Sequence, residues 1–275
     1  MRCCYREKLY KCGNYLEVSI YPVYRKASQR SRKAKPTKEI QKKLNQRNAE
    51  NKVIRLLNAN FTPADIQFNL SYAEKCLPES DEDAAKELRN FLRRVKNYRK
   101  KHGMPTLKYI AVTEKGKRNK RYHHHIVMNG EVDINTLTKL WGRGLTTSKP
   151  LQFDETGLVG LGVYMVKEPI CSKKRWNASK NLVNPPAKIR DGRFTKRRAL
   201  ELARDTDNAR EYEKYFPDYN FAEAYKVMND INGGVYIQAR FYSKDAPLYW
   251  NRSRNADRER KRKSKTVSAV ECTTR

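Results

Sequence analysis

Three of the four histidines in this chain are consecutive, at His123, His124 and His125. Apolar residues follow them, and the turn signal Asn129-Gly130 comes next, so the run predicts a β-strand that ends in a turn. Side chains alternate along a strand, which places His123 and His125 on one face, about 7 Å apart, and His124 on the other. Two imidazoles spaced in this way can share one metal ion. Three consecutive histidines are also compatible with a solvated strand end.

A second pair of reactive side chains is Tyr164 and Lys167, on a helix predicted at 155–167 with Asp154 as its cap. Residues three apart share a helix face. A basic group beside a phenol favours the phenolate and can hold a phosphate. The alternative is an amphipathic helix with a core tyrosine and a solvated lysine.

The charge of the chain favours a polyanionic partner. Sixty Lys and Arg residues stand against thirty Asp and Glu, for a net charge of +30, and such a field attracts nucleic acid or an anionic membrane. No apolar run approaches the roughly 18 residues that span a bilayer, and no signal-peptide pattern is present. Nucleic acid is therefore the expected partner and a membrane is not. Seventeen tyrosines interleaved with the cations favour single strands, whose unstacked bases need aromatic platforms.

The six cysteines form no C-x-x-C pair, which predicts a reduced, cytosolic protein. A zinc site built from Cys3, Cys4 and Cys12 is a weaker alternative, because their spacing is poor for a ligand set.

Hydrophobic periodicity predicts the elements that must position these side chains. Strands are expected at 15–21, where Pro22 closes the strand, at 65–72, at 107–114, in the histidine run, within 145–153 and at 235–242. Helices are expected at 37–58, between Ser80 and Gly103, at 133–141, at 155–167, at 194–203 and at 221–229. The 107–114 strand and the histidine strand form a hairpin, which brings Glu114 near His123.

The order of elements predicts an α+β fold with an antiparallel sheet and flanking helices. From residue 65 the order is β, α, β, β, α, β, α, and the split β-α-β arrangement of ferredoxin-like or RRM-like folds is the natural candidate. We expect an N-terminal strand and basic arm in residues 1–60 and a catalytic core in 61–170. An extension that packs on the core and contacts DNA is expected in 171–250, and a basic disordered tail in 251–275.

Together these features favour one mechanism. A divalent ion polarises a scissile phosphate, the tyrosine attacks it, and the strand breaks with the protein covalently attached. The sequence contains no G-x-x-x-x-G-K-[ST] motif, so no ATPase or helicase domain is expected.

The sequence resembles the HUH endonucleases, specifically the rolling-circle replication initiators of phages, plasmids and related elements. Three motifs occur in the family's order: Phe68-Asn69-Leu70-Ser71-Tyr72, then His123-His124-His125-Ile126-Val127 preceded by Glu114, then Tyr164-Met165-Val166-Lys167. The resemblance covers about residues 61–170, and it implies site-specific nicking and rejoining of single-stranded DNA at an origin.

The resemblance also implies a role for each site residue. His123 and His125 would bind Mg²⁺ or Mn²⁺, with Glu114 as a third ligand. Tyr164 would form a 5′-phosphotyrosine bond and free a 3′-hydroxyl that primes synthesis, while Lys167 would position the phosphate or the nucleophile. The implied partners are single-stranded DNA, a hairpin or duplex origin, and a separate host helicase and polymerase in the bacterial cytoplasm.

Two departures from the family pattern stand out. His124 occupies a position that is hydrophobic in the family, and Glu168 stands where some phage initiators carry a second tyrosine, so a single-tyrosine mechanism is expected. Alternatives are a plasmid relaxase, with Tyr5 or Tyr10 as nucleophile, a compact HUH transposase, and a non-catalytic nucleic-acid binder with an RRM-like sheet.

Overall fold

The computed structural model describes residues 3–24, 38–116, 120–166, 175–229 and 234–246. The strands are β1 (Cys3–Cys12), β2 (Tyr15–Tyr24), β3 (Ile66–Ser71), β4 (Tyr109–Lys115), β5 (Tyr122–Met128), β6 (Thr146–Pro150), β7 (Asn177–Ala178), β8 (Ala187–Asp191), β9 (Tyr219–Asn229) and β10 (Gly234–Ser243). The helices are α1 (Lys38–Asn60), α2 (Asp81–Lys101), α3 (Ile134–Trp141), α4 (Val159–Met165), α5 (Lys196–Arg204) and α6 (Ala209–Glu213). The strands form two antiparallel five-stranded sheets, and the predicted α+β class is confirmed.

The first sheet, here called the histidine sheet, has the strand order β6-β3-β5-β4-β7. Strands β3 to β6, with helices α2 and α3, follow the β-α-β-β-α-β order of ferredoxin-like folds, as the sequence predicted. Strand β5 lies in the middle, between β3 and β4, and pairs antiparallel with both. A central strand holds its side chains at a fixed register on both sides.

Helices α2 and α3 cover one face of the histidine sheet. Alternation along β3 and β5 points Phe68, Leu70 and Ile126 into a core that also contains Trp141 of α3. Ser80 caps α2 by accepting a hydrogen bond from the Asp83 amide, as expected from its sequence. Arg99 departs from its expected place on the exposed basic side of α2. It is 1% exposed and donates to the Pro105 carbonyl and the Glu131 carboxylate, at 2.7 Å each.

The second sheet, here called the terminal sheet, joins the two ends of the described chain in the order β8-β1-β2-β10-β9. The prediction of a helix at 221–229 is wrong, because these residues lie in β9 and pair with β10 over ten positions. Strand β2 does not end at Pro22. The ladder with β10 ends at Ile20, so the proline occupies an edge segment on that side, where a missing amide donor is tolerated.

Helix α1 connects the two sheets, and its predicted bounds agree with the structure to within two residues. Its buried residues Val53, Ile54 and Leu57 share one core with Tyr15 of the terminal sheet and Val127 of the histidine sheet. This core lies against the face of the histidine sheet opposite α2 and α3. The face of β5 that carries His123 and His125 is therefore the face that α1 and α4 approach.

Several sequence predictions concern residues outside the described ranges. They are the basic stretch at 25–37, the residue Lys167, and the disordered tail at 251–275. Within the described ranges, no helix is long and apolar enough to cross a membrane.

The zinc alternative at the N-terminus is wrong. Cys4 and Cys12 lie near opposite ends of the extended strand β1, which separates them by about 26 Å at the usual rise per residue. Cys12 is fully buried, and burial raises the pKa of its thiol to about 12, so it is a core residue.

Candidate active site

The register of the histidine sheet sets the neighbours of the histidines. His123 pairs with Glu114 on β4 and with Ser71 on β3. His125 pairs with Asn69 on β3. The predicted proximity of Glu114 and His123 is confirmed by this hairpin register.

His124 points to the opposite face of β5 and is completely buried. Its Nε2 lies 2.7 Å from the Tyr72 hydroxyl and its Nδ1 lies 3.0 Å from the Thr113 hydroxyl. Its ring also makes edge contacts with Tyr72 and Trp141. Burial lowers the pKa of His124 to about 3, so the imidazole is neutral at physiological pH. The predicted orientation of His124 is confirmed, and its surroundings are those of a core residue.

A His124→Leu variant tests this structural role in metal-free buffer. Unfolded histidine takes up a proton near pH 6.5, whereas folded His124 does so only near pH 3. The folded state therefore binds fewer protons, and stability falls as the pH is lowered between these values, by up to about 1.4 kcal/mol per unit. The variant should lose this contribution. At pH 7 it should be less stable by about 1–3 kcal/mol, because the Tyr72 and Thr113 hydroxyls lose their partner. Denaturant unfolding across this pH range measures both effects, and identical slopes would contradict the prediction.

His125 lies at the point where three polar groups meet. Its Nδ1 is 2.9 Å from the Asn69 side-chain carbonyl. Its Nε2 is 3.2 Å from Oε2 of Glu114 and 3.5 Å from the Tyr164 hydroxyl. The His125 and Tyr164 rings also meet edge to face, with centroids 5.2 Å apart. Tyr164 thus comes to the face of the sheet that carries His125, although it is 39 residues further along the chain.

The contact with Asn69 fixes the tautomer of His125. Asn69 donates through Nδ2 to the Thr147 hydroxyl at 3.2 Å, and this orients its carbonyl oxygen towards His125. A neutral His125 then carries its proton on Nδ1 and presents the Nε2 lone pair to Glu114 and Tyr164. Burial lowers the pKa of His125, with Glu114 opposing that shift, so the neutral ring is favoured. Metal-binding histidines are oriented by the same kind of hydrogen bond through their other nitrogen.

Glu114 and His123 complete this face of the site. The side chain of Glu114 is 48% exposed, which leaves its carboxylate accessible to a ligand. His123 is half-buried and lies beside Glu114 across the hairpin. Across the residues that the structure describes, no three His, Cys, Asp or Glu side chains converge as one metal-ligand set.

The donor chemistry nevertheless fits part of a divalent-metal site. An unprotonated imidazole nitrogen and a carboxylate 3.2 Å apart repel each other unless a proton or a cation lies with them. Mg²⁺ and Mn²⁺ accept carboxylate oxygens, commonly use few protein ligands and keep positions for water and substrate phosphate. His125 and Glu114 are therefore suitable ligands as they stand, with His123 adjacent on the same face.

Helix α4 carries Tyr164 and is shorter than the sequence predicted. Residues 154–157 form a tight turn instead of a first helical turn, with Asp154 accepting from the amide and hydroxyl of Thr156. Gly157 adopts a φ of +70°, and a side chain there would collide with Asn58. Asn58, at the end of α1, accepts a hydrogen bond from the Leu158 amide at 3.1 Å. Helix α1 thus sets where α4 begins.

Tyr164 lies in the last turn of α4 and is 41% exposed. Partial burial raises the pKa of its phenol, and the negative charge of Glu114 raises it further. The resting phenol is therefore protonated. Lys167, its predicted partner, lies outside the described residues, so their predicted shared helix face stays a prediction.

The tyrosines of the relaxase alternative lie elsewhere. Tyr5 is buried in the core on the outer face of the terminal sheet, with helices α5 and α6. Tyr10 also belongs to the terminal sheet, where its ring lies under Arg55. Both are on a different sheet from the histidines.

Two positioning residues were missed by sequence reasoning. Asn69 lies between Phe68 and Leu70, so alternation alone points it to the histidine face. Its contact with His125 depends on the strand register, which the sequence does not display. Asn58 was interpreted only as a residue that ends α1, and no local pattern indicates its hydrogen bond to residue 158.

A ferredoxin-like sheet that brings a His–Glu pair and a tyrosine together on one face has the features of the HUH class. The comparison with protein families supports this class directly. Residues 65–169 match the model of a replication-associated protein family, the one described by its ORF2 and gene-2-protein members. The predicted resemblance is confirmed: this part of the chain carries the signature of a rolling-circle replication initiator family of the HUH type, which implies DNA binding. Comparison with curated proteins and with solved structures gives no significant match.

Proposed function

We propose that this protein is a rolling-circle initiator that nicks and rejoins single-stranded DNA at an origin, with Tyr164 as the nucleophile. The observation that carries the proposal is the convergence on Nε2 of His125. The Tyr164 hydroxyl and the Glu114 carboxylate both lie within 3.5 Å of this nitrogen, inside the segment that matches the initiator family.

His125, Glu114 and His123 are the residues that would hold Mg²⁺ or Mn²⁺. When bound, the ion supplies charge stabilisation at the scissile phosphate. Asn69 keeps the Nε2 lone pair of His125 directed at the site. The exposed carboxylate of Glu114 lies open to the incoming DNA backbone.

The reaction conserves bonds and needs no nucleotide cofactor. The Tyr164 oxygen forms a bond to phosphorus, the bond from phosphorus to the 3′ oxygen breaks, and a 5′-phosphotyrosine is left on the protein. The phenolic proton leaves Tyr164, and the departing 3′ oxygen takes up a proton. The 3′-hydroxyl so formed can prime synthesis, and its attack on the phosphotyrosine rejoins the strand.

The nucleophile must lose the proton that its resting environment favours. Burial and Glu114 raise the pKa of Tyr164, so a cation near this phenol is required to favour the phenolate. We assign this part to Lys167, which follows Tyr164 by one helical turn in the sequence, together with the cation held by Glu114.

The partners of the reaction follow from the same assignment. Single-stranded DNA exposed at a hairpin or duplex origin is the substrate. The sequence has no ATP-binding loop motif, so a separate host helicase and polymerase extend the nicked strand in the bacterial cytoplasm.

The proposal is tested by trapping the covalent intermediate. Purified protein is incubated with a library of single-stranded oligonucleotides carrying a 3′ label, with Mn²⁺ or with EDTA. A labelled band that survives denaturing electrophoresis is expected only with the metal. A protein that binds these oligonucleotides tightly but forms no adduct with any of them would instead be a non-catalytic binder.

A glycine pair on α4 tests whether helix α1 positions the nucleophile. A side chain at Gly162 would lie 2.5 Å from Cγ1 and 3.2 Å from Cα of Ile54 on α1, whereas one at Gly160 meets nothing within 4 Å. Gly162→Ala should displace α4 and lower the rate of adduct formation by about 10–100-fold. Gly160→Ala, the matched control, should retain the rate and gain up to about 1 kcal/mol of stability. Equal rates in the two variants would contradict this coupling.

A further inference from the structure

A groove lined by tyrosines and cations lies between α1 and the terminal sheet, outside the segment that matches the initiator family. It encloses a cavity of about 370 Å³. We call it the α1 groove and define it by Tyr10, Tyr21, Tyr225, Tyr236, Arg47 and Arg55. The tyrosines come from four adjacent strands of the terminal sheet, and the arginines from α1.

The groove exists because α1 uses two faces. Val53, Ile54 and Leu57 enter the core that joins the two sheets. Arg47, Asn51 and Arg55 recur every four residues and therefore form a polar stripe on another face, which lines the groove.

The aromatic rings of the groove are suited to stacking. Tyr21 and Tyr236 are parallel to within 1°, with centroids 6.3 Å apart, and both are half-buried. The guanidinium of Arg55 lies 3.6 Å from the centroid of the Tyr10 ring and holds it in place. Base–aromatic stacking tolerates any sequence, because every base has a π face.

The cations of the groove fall into two groups. Arg55 is neutralised by the buried carboxylate of Glu17 at 2.5 Å. Lys8 and Arg47 lie 5.1 Å and 5.5 Å from the centroids of Tyr10 and Tyr225, and within the described ranges no carboxylate forms an ion pair with either. Their charges are available to a polyanionic backbone that runs beside the rings.

An amide in the groove lacks a partner. Oε1 of Gln238 accepts from the Tyr225 hydroxyl at 2.5 Å and from Nδ2 of Asn51 at 3.3 Å. This fixes the orientation of the amide, whose Nε2 is buried and has no acceptor in the part of the chain that the structure describes. A buried donor without an acceptor costs about 1–3 kcal/mol, which a carbonyl or ring nitrogen of a nucleobase would recover.

The groove continues beyond the first cavity. A second cavity of about 580 Å³ shares Tyr10, Asn48 and Arg55 with it and extends past Lys52 to Pro186. The combined channel is long enough for several nucleotides. One face of α1 lines it, while another face packs on α4, the helix of Tyr164.

We propose that the α1 groove is a second binding site for single-stranded DNA, in which bases stack on the tyrosines and Lys8 and Arg47 hold the backbone. The inference deepens the proposed function and rests on it: DNA held along α1 lies on the helix that positions the nucleophile. The site would retain a flanking stretch of the origin strand while the nick is made elsewhere.

Photo-crosslinking and binding measurements with the full chain test this site. Labelled oligonucleotides of about 12 nucleotides, with iododeoxyuridine at successive positions, are cross-linked and the modified peptides identified. Cross-links are expected on Tyr21, Tyr225 or Tyr236. Tyr236→Ala should weaken binding by on the order of tenfold. Arg47→Gln should lower the salt dependence, the slope of log K against log salt, by about 0.7.

The matched controls replace the same residue types away from the groove, as Tyr98→Ala on α2 and Arg197→Gln on α5, and should bind like wild type. Thermal unfolding verifies that each variant is folded. If Tyr236→Ala is unstable, Arg47→Gln carries the test, because Arg47 is exposed. Cross-links confined to 65–169, or groove variants that bind like the controls, would overturn the inference. Adduct formation is scored separately: a protein without adduct whose binding still depends on the groove overturns the nicking proposal and leaves the groove assignment standing.

Discussion

A Tyr164→Phe variant is expected to form no covalent adduct with single-stranded DNA, with a loss of at least about 10⁴-fold, as when a nucleophile is removed from an enzyme. The change deletes only the hydroxyl that lies 3.5 Å from Nε2 of His125. The ring contact with His125 at 5.2 Å remains possible. Folding and DNA binding should therefore be retained, which separates chemistry from affinity.

Mass spectrometry makes this result specific. Trypsin should release residues 144–167 as one peptide, because Pro150 blocks cleavage after Lys149, and Tyr164 is the only tyrosine in it. The wild-type adduct should map to this peptide. Tyr109→Phe, on a strand of the same sheet, is the matched control and should retain the adduct. An adduct that persists in Tyr164→Phe would move the nucleophile to another residue.

The second large effect is expected from the histidines that share one face of β5. His125→Ala and His123→Ala should each reduce metal-dependent adduct formation by at least about 10²-fold. Calorimetric titration with Mn²⁺ gives an independent readout and should show weakened binding in both variants. The contact of His125 with Asn69 and Glu114 makes His125 the more sensitive of the two. Asn69→Leu, which frees the ring, should cost about 10–100-fold in metal affinity or activity.

His124 is the internal control for these variants, because it lies on the same strand but in the opposite core. His124→Leu should retain metal binding and nicking when assayed well below its melting temperature. If His124→Leu lost metal binding while His123→Ala retained it, the ligands would lie on the other face of the strand and the assignment would be wrong.

The histidine sheet was predictable because its information is local. Each of its four longer strands buries alternate residues against α2 and α3, and that period of two is visible in the sequence around Phe68 and Ile126. The helix caps at Ser80 and Asp133 were equally visible, since each side chain accepts from an amide three residues later. The motif order then led to the family that the comparison confirmed.

The terminal sheet was only partly predictable, because its strands depend on distant partners. Strand β1 buries Tyr5, Glu7 and Leu9 on one face, and the charged Glu7 hides the alternation. Glu7 is tolerated there because Arg193 pairs with it at 2.7 Å from 186 residues away. Strand β9 has apolar spacing compatible with a helix, and pairing with β10 overrides it.

The sequence by itself determined which histidines share a face, because alternation on a strand is a property of the backbone and needs no partner. It also determined the ferredoxin-like order of the histidine sheet and the family of residues 65–169. Only the tertiary structure decided what surrounds each side chain. The strand register places Asn69 on His125, and the Asn58–Leu158 contact shortens α4 and brings Tyr164 to the same nitrogen as Glu114. These contacts join residues 39 to 100 positions apart in the chain, and such contacts depend on how whole elements pack, which no local period encodes.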